Sequence, residues 1–213
     1  MDDNKKWVLQ KKIERTISAL EKHNMNGWYA KESSDVLTLL KDLIPDGTTV
    51  SVGGSRTLFE TGVLEFLRAG DYHFLDRYEE GLSAADIKKI YRATFSADVF
   101  LSSSNAITEN GELFNVDGTG NRTAAMIYGP DKVIVICGYN KIVKDLDAAI
   151  EQNKSCSAPA NAKRLDRKTP CAELGYCTDC SSPDRICNDF VLIKRQAQKD
   201  RIHVILVGET LGY

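Results

Sequence analysis

Apolar and polar residues follow two different periodicities along the chain. Between residues 5 and 24 apolar side chains recur at intervals of three and four, which predicts an amphipathic helix. The same spacing predicts further helices over 33–43, 58–67, 83–95 and 142–150. Short apolar runs typical of buried strands lie at 28–30, 48–52, 72–75, 97–101, 133–137, 190–196 and 202–207. Strands that alternate with helices in this way predict a parallel α/β sheet.

A turn-rich stretch from Leu101 to Lys141 lies between two of these strands. After Asn105 it alternates like a hairpin, which would add antiparallel strands to the sheet. The predicted fold class is therefore α/β, with a mixed, mostly parallel sheet and helices on both faces. We expect residues 1–213 to form a single domain, with the cysteine-rich residues 154–188 as an insertion inside it.

Polar side chains gather where the predicted strands end, and ligands bind at that edge of open α/β sheets. Glu109, the catalytic candidate, and Arg122 supply a carboxylate and a fixed cation, although a plain polar hairpin would also fit. The glycine turn at residues 53–55 follows a strand and fits either an anion site or a tight turn to a helix. The candidate anion-binding residues are Gly53, Gly54, Ser55, Asn105, Asn121, Arg122, Asn140 and Lys141.

Four cysteines follow the spacing C-x5-C-x2-C-x6-C, which predicts one centre with four thiolate ligands. Only Cys177 and Cys180 form a paired knuckle, which favours a [4Fe–4S] cluster over tetrahedral zinc. Redox-active or simply reduced thiols are the remaining alternative, and Cys156 could replace one ligand. The predicted metal ligands are Cys171, Cys177, Cys180 and Cys187.

The net charge of the chain limits the classes of partner that it can bind. A net charge of −2 and a pI near 6.0 leave no general basic face, so no nucleic-acid partner is expected. No apolar run approaches the roughly 20 residues that span a bilayer, and no export signal is visible, so we expect a cytoplasmic protein. The basic residues near the thiols could offset thiolate charge or form a solvated loop: Arg164, Arg167, Lys168 and Arg185.

Several motifs together resemble the LUD-domain proteins of lactate utilisation, in particular the short branch that carries cysteines. The resemblance covers most of residues 10–213. The motifs are Gly53-Gly54-Ser55, Asn105-Ala-Ile-Thr-Glu-Asn-Gly111, Asp117-Gly118, Gly120-Asn121-Arg122, Gly138-Tyr-Asn-Lys141, Ala158-Pro159 and Ser182-Pro-Asp-Arg-Ile-Cys-Asn188. The resemblance implies a fold like the NagB/RpiA/CoA-transferase group. It also implies a link to oxidation of L-lactate to pyruvate through iron–sulfur partner proteins.

Three functions fit these features. The first is an iron–sulfur redox component of lactate oxidation whose crevice binds a small carboxylate or a phosphate. The second is a CoA-transferase- or sugar-phosphate-isomerase-like enzyme with a structural zinc site, because residues 108–111 resemble the Ser-Glu-Asn-Gly motif of CoA-transferases, with Thr108 in place of Ser. The third is a non-catalytic subunit of a complex. A homo-oligomer is compatible with all three.

Overall fold

A computed structural model describes residues 2–213. Its helices are α1 (Asp3–Lys22), α2 (Ser33–Leu43), α3 (Arg56–Glu60), α4 (Val63–Ala69), α5 (Ala84–Ala93), α6 (Asn121–Ile127), α7 (Leu146–Gln152), α8 (Ala158–Arg164) and α9 (Pro170–Leu174). Its strands are β1 (Asn26–Ala30), β2 (Thr49–Val52), β3 (His73–Leu75), β4 (Val99–Ser102), β5 (Ala106–Thr108), β6 (Leu113–Asp117), β7 (Lys132–Gly138), β8 (Ile142–Val143), β9 (Asp189–Ile193) and β10 (Ile202–Val207).

Six strands form the main sheet, in the order β1-β10-β7-β4-β2-β3. Every neighbouring pair in this sheet runs parallel. The predicted α/β class, with its parallel strands joined through helices, is therefore confirmed. In a parallel sheet all strands end at the same edge, so the loops that follow β2, β4, β7 and β10 can meet there.

Helices cover both faces of this sheet, and β7 shows why. Ile134 and Ile136 of β7 pack into a core with α2, α3 and α4, while Val133 and Val135 pack into a second core with α1 and α6. Successive side chains of a strand point to opposite faces, so a strand that is covered on both sides must be apolar at every position. The continuous apolar run at residues 133–137 has this cause.

The hairpin after Asn105 does not join the main sheet, which corrects one expectation. Strands β5 and β6 pair antiparallel, and they belong to a separate four-stranded sheet with the order β8-β5-β6-β9. β9 pairs with β6 in antiparallel register, from Leu113↔Ile193 to Asp117↔Asp189. Leu113 and Ile193 pack into the same core as Val133 and Val135, so this core joins the two sheets.

The cysteine-rich residues 154–188 are more regular than their sequence suggests. α7 continues through a π-helical turn, Asn153–Ser157, directly into α8, and α9 follows after a short loop. Pro170 lies in the first turn of α9, after the extended residue Thr169, where the missing N–H of proline costs nothing. The expected helix at 142–150 begins only at Leu146, because Ile142 and Val143 pair with β5. Within residues 2–213 there is no helix of the length and apolarity required to cross a bilayer.

Candidate active site

A cavity of about 360 Å³ lies at the edge of the main sheet where its strands end. Loops that follow β2, β3, β4, β7 and β10 line one side of it, and the turn after β6 lines another. The remaining wall comes from the cysteine-rich insertion, through Ser157, Asn161, Arg164, Leu165, Arg167 and Ile186. A crevice is therefore present at the expected edge, and the cysteine-rich segment supplies part of its wall. A volume of this size suits a small-molecule ligand.

A buried ion pair forms one wall of the cavity. The Asp117 carboxylate accepts a hydrogen bond from Arg122 Nε at 2.9 Å, and both residues are 8% exposed. The same carboxylate accepts from the backbone N–H groups of Arg122 and Thr123, which lie in the first turn of α6. Asp117 therefore ties the end of β6 to the start of α6, as a capping side chain does.

The guanidinium of Arg122 is fully occupied by the protein. Besides Asp117 it donates to the Ser103 and Val116 carbonyls at 2.8 and 3.0 Å. It also donates to the Asn115 and Asn105 side chains at 2.6 and 2.9 Å. Because an arginine has five N–H donors, none is left to bind a ligand. Arg122, predicted to contact the anion, instead holds the loop Ser103–Asn105 in place.

Lys141 is a buried amine at the floor of the cavity. The residue is 4% exposed, and its Nζ lies 2.9 Å from Ser103 Oγ and 3.5 Å from Thr57 Oγ1. Burial lowers the pKa of Lys141, because an ammonium loses its hydration there. No carboxylate of residues 2–213 forms an ion pair with this amine. This arrangement is typical of reactive or anion-binding lysines.

Four further arginines line the cavity: Arg56, Arg77, Arg164 and Arg167. Arg56 pairs with Glu60 at 3.0 Å, and Arg167 lies 3.9 Å from Asp184. Arg77 and Arg164 have no carboxylate within ion-pair distance among the described residues. Asp117 is the one lining residue with a carboxylate side chain, against five arginines and one lysine, so the lining side chains carry a clear excess of positive charge.

The glycine turn after β2 contributes to the cavity mainly by its shape. Gly54 and Ser55 line the cavity, and a Cβ atom on Gly54 would lie 3.5 Å from the Arg77 guanidinium. Gly53 lies beneath, where a Cβ would approach Ser102 Oγ to 2.7 Å, so no other residue fits without displacement. Ser55 caps α3 through the Leu58 N–H. The helix has only five residues, so its dipole adds little to anion binding.

Glu109 does not lie at the cavity, which corrects its expected position at the mouth of the crevice. Its carboxylate approaches Lys12 and Arg15 of α1 at 3.7 and 3.2 Å. The reason is that β5 belongs to the second sheet, which directs the turn after Thr108 toward α1. Glu109 therefore cannot act on a ligand in this cavity.

The three candidate asparagines have different positions. Asn105 and Asn121 line the cavity, and Asn105 Oδ1 accepts from the Val116 N–H. Asn140 lies behind Lys141, where its side chain bonds to the backbone of Leu211 and Gly212. Asn140 thus positions the chain that follows β10 and is not among the lining residues.

The four predicted metal ligands lie in one neighbourhood. Cys171 is buried and the other three are half-buried, and all four are free thiols. Burial raises the pKa of the Cys187 thiol, and the nearby Cys177, Cys171 and Cys180 raise it further. Asp179 donates its N–H to Cys177 Sγ at 3.3 Å, a contact that stabilises a thiolate. Within residues 2–213 no three metal-binding side chains already stand at ligand distances from a common point. The donor chemistry fits a four-thiolate centre, which remains a prediction.

The cysteine segment is anchored to the cavity through the residues on either side of Cys187. Ile186 lines the cavity and packs against Gly118, where an added Cβ would lie 3.3 Å from Ile186 Cα. Asn188 donates its backbone N–H to the Asp117 carbonyl at 2.8 Å and its side-chain amide N–H to the Gly118 carbonyl at 2.9 Å. Cys187 is therefore adjacent in sequence to both residues that contact the cavity wall.

Arg77 and Ser157 are two of the lining residues that the sequence did not single out. Arg77 follows the three-residue strand β3 and stacks over the rings of Tyr78 and Tyr91. Ser157 ends the π-helical turn, is 2% exposed, and its buried hydroxyl has no hydrogen-bond partner. Arg77 lies beside no motif, whereas Ser157 directly precedes the Ala158-Pro159 motif. The position of Arg77 after a strand was the available signal for it.

Comparisons with known proteins give a family match and similar solved structures. The family model described as LUD domain matches residues 13–207. A DUF162 family protein from Deinococcus radiodurans has 13% sequence identity and a TM-score of 0.50, over 95% of this chain and 98% of its own. eIF2B delta from Chaetomium thermophilum has 20% identity and a TM-score of 0.38, over 56% of this chain and 51% of its own. No curated protein sequence matches significantly.

Proposed function

This chain belongs to the LUD-domain family, and from that premise we propose that it serves organic-acid utilisation by binding an anionic organic acid in its basic cavity. The observation that carries the proposal is the set of three cations without a carboxylate partner at one cavity, Arg77, Arg164 and Lys141. Cations held close together and partly out of water repel one another, and a bound anion relieves that cost.

The three cations occupy different depths, which indicates how a ligand would lie. Lys141 is buried at the floor, Arg77 is half-buried, and Arg164 is exposed at the rim. Asn161 accepts from Arg164 Nη2 at 2.7 Å and so orients its guanidinium. An organic acid would place its carboxylate, or a phosphate in place of it, against the arginines. Its remaining carbons would then extend toward Lys141.

The cysteine quartet supports a second part of the proposal, an electron-transferring or structural metal centre. Four thiols of one short segment would hold either a [4Fe–4S] cluster or zinc, and the cluster would supply one-electron transfer when bound. Arg185 donates to the Cys187 carbonyl at 3.1 Å and pairs with Asp179 at 3.0 Å, which places a cation beside the thiols. Iron–sulfur proteins are the corresponding redox partners.

The transferase alternative loses its support from the structure. A thioester-forming glutamate must reach the bound acid, and Glu109 lies at α1 instead of the cavity. Phosphorylated acids and sugar phosphates remain suitable ligands for the cavity, because arginine binds phosphate as readily as carboxylate. They belong in the same binding test.

Titration calorimetry with L-lactate, pyruvate and 3-phosphoglycerate tests the proposal. We expect Arg164→Gln to weaken the binding of the best ligand by roughly ten- to a hundred-fold, since a charged hydrogen bond contributes about 1.5–3 kcal/mol. Arg195→Gln is the matched control, because Arg195 is exposed and contacts the Lys22 carbonyl away from the cavity. Equal affinity in all three proteins, or no binding of any acid, would refute the proposal.

A further inference from the structure

We propose that Lys141 forms an imine with the carbonyl carbon of an oxo acid bound in the cavity. The inference deepens the proposed function, on which it rests, by naming the substrate class and the reacting atom. It follows from the surroundings of the Lys141 nitrogen, from the charges that face it, and from an unpartnered hydroxyl in the opposite wall.

The nitrogen of Lys141 has one open position. Besides its own side-chain carbon, a lysine nitrogen has three positions for hydrogens or a lone pair. Ser103 Oγ and Thr57 Oγ1 take two of them, at 2.9 and 3.5 Å. No other group of residues 2–213 is within hydrogen-bond distance of this nitrogen. Lys141 lines the cavity, so the third position is where a ligand carbon can approach.

The charges around the amine come from three elements. Arg122 of α6 opposes protonation, whereas Glu60 of α3 and Cys137 of β7 favour it. None of these groups forms an ion pair with Lys141, and burial is the largest influence on it. A larger fraction of neutral amine at neutral pH follows, and the neutral amine is the nucleophile in imine formation.

The amine is also held rigidly. Lys141 lies between the last residue of β7, in the main sheet, and the first residue of β8, in the second sheet. Its hydrogen-bond acceptor Ser103 is fixed in turn, because the Ser103 carbonyl accepts from Arg122 at 2.8 Å. A nucleophile that is anchored at both ends loses little entropy when it reacts.

The opposite wall offers donors for the acid group of the substrate. The Ser157 hydroxyl is buried and has no protein partner, which is unusual enough to indicate a missing acceptor. It lines the same cavity as Lys141, together with Arg164. A carboxylate that accepts hydrogen bonds from Ser157 and Arg164 would orient the adjacent carbonyl of an oxo acid toward the amine.

The reaction balances without an oxidant or a reductant. The lone pair of the neutral Lys141 amine forms the C–N bond, and the carbonyl π electrons move to oxygen. Proton transfers from the nitrogen to that oxygen give a carbinolamine, which loses water to form the C=N bond. The imine nitrogen then takes up a proton, and the resulting cation withdraws electrons from the neighbouring C3 carbon of the 2-oxo acid, so that this carbon loses a proton more easily.

Reductive trapping tests this inference. The full-length protein is incubated with pyruvate or 2-oxoglutarate and sodium borohydride at pH 7.5, and the labelled lysines are identified by peptide mass spectrometry. We expect Lys141 to be labelled at least about ten-fold more than Lys144, because the cavity would hold the acid beside a fixed amine and burial favours the neutral form of that amine. Lys144 is the internal control, since its side chain is 87% exposed.

Two further samples keep the result interpretable. Lys141→Arg retains the cation and should bind the acid in calorimetry without giving the adduct at this position. Denatured protein should lose the preference for Lys141. Labelling confined to exposed lysines would overturn the imine, and acid binding that persists in that case would leave the proposed function intact. Absence of both binding and adduct would refute both.

Discussion

Replacing Arg122 by methionine should destabilise the protein strongly, because its side chain is the centre of a buried network. The substitution removes five hydrogen bonds and leaves the Asp117 carboxylate, 8% exposed, without its counterion. Breaking a buried pair from one side costs about 3–5 kcal/mol. For a chain of this length that loss corresponds to a melting temperature lower by roughly 6–20 °C.

The size of this stability loss depends on the hydrogen bonds that the Asp117 carboxylate keeps. Three hydrogen bonds to its carboxylate survive, from the backbone N–H groups of Arg122 and Thr123 and from the Thr123 hydroxyl. They stabilise the unpaired carboxylate and place the expected loss toward the lower half of that interval. Asp117→Asn in the Arg122→Met background removes the stranded charge. We therefore expect it to recover about 1–3 kcal/mol.

Urea unfolding followed by circular dichroism measures these losses, and Arg201→Met is the matched control. Arg201 is equally buried at 8%, but it donates only to carbonyl and amide oxygens, such as the Met126 carbonyl at 2.8 Å. Its removal strands no carboxylate and should cost about 1–3 kcal/mol. A loss below about 1 kcal/mol in Arg122→Met, together with lost acid binding, would refute the structural role given to Arg122.

Three other outcomes follow from the described contacts. Cys177→Ser should remove most iron or zinc from anaerobically purified protein, whereas the Cys156→Ser protein should keep its metal. Elemental analysis measures both, and the reverse pattern would mean a different ligand set. Glu109→Gln should leave the affinity for the acid unchanged. It should lower the unfolding free energy by less than about 1 kcal/mol, because the ion pairs of Glu109 are partly solvated. A large loss of affinity would instead place Glu109 at the site. Lys141→Met should be more stable than wild type at pH 7. This difference in stability should shrink as the pH rises toward 10.5, because the unfolded wild type binds the lysine proton more tightly than the folded form. A difference that grows with pH would contradict the burial of the Lys141 amine.

The main sheet was predictable because its signal is local. A strand covered on both faces is apolar at consecutive positions, and each helix between strands shows its own periodicity. The second sheet was not predictable, because Leu113 of β6 pairs with Ile193 of β9, far along the chain. Short strands with no unique apolar pattern leave such a pairing open.

The site residues that follow strands of the main sheet were predictable from the sequence. The prediction failed for residues whose position depends on contacts between distant parts of the chain. Gly54, Asn105 and Lys141 follow strands of the main sheet or the loops beside them, and all three line the cavity. Glu109 follows β5, whose membership in the second sheet turned it toward α1. Ser157 belongs to a helical insertion that folds back over the sheet edge, a placement decided by tertiary packing.

The anchoring of Cys187 between Ile186 and Asn188 has a thermodynamic consequence. Any event at the thiols that shifts this residue also moves the Ile186 side of the cavity and strains the Asn188 contacts with Asp117 and Gly118. If an acid binds at the cavity and a metal or an oxidant reacts at the thiols, the two events share a coupling free energy, and such coupling is reciprocal. If oxidation of the thiols changes acid affinity by some factor, a saturating acid must change the thiol equilibrium by that same factor.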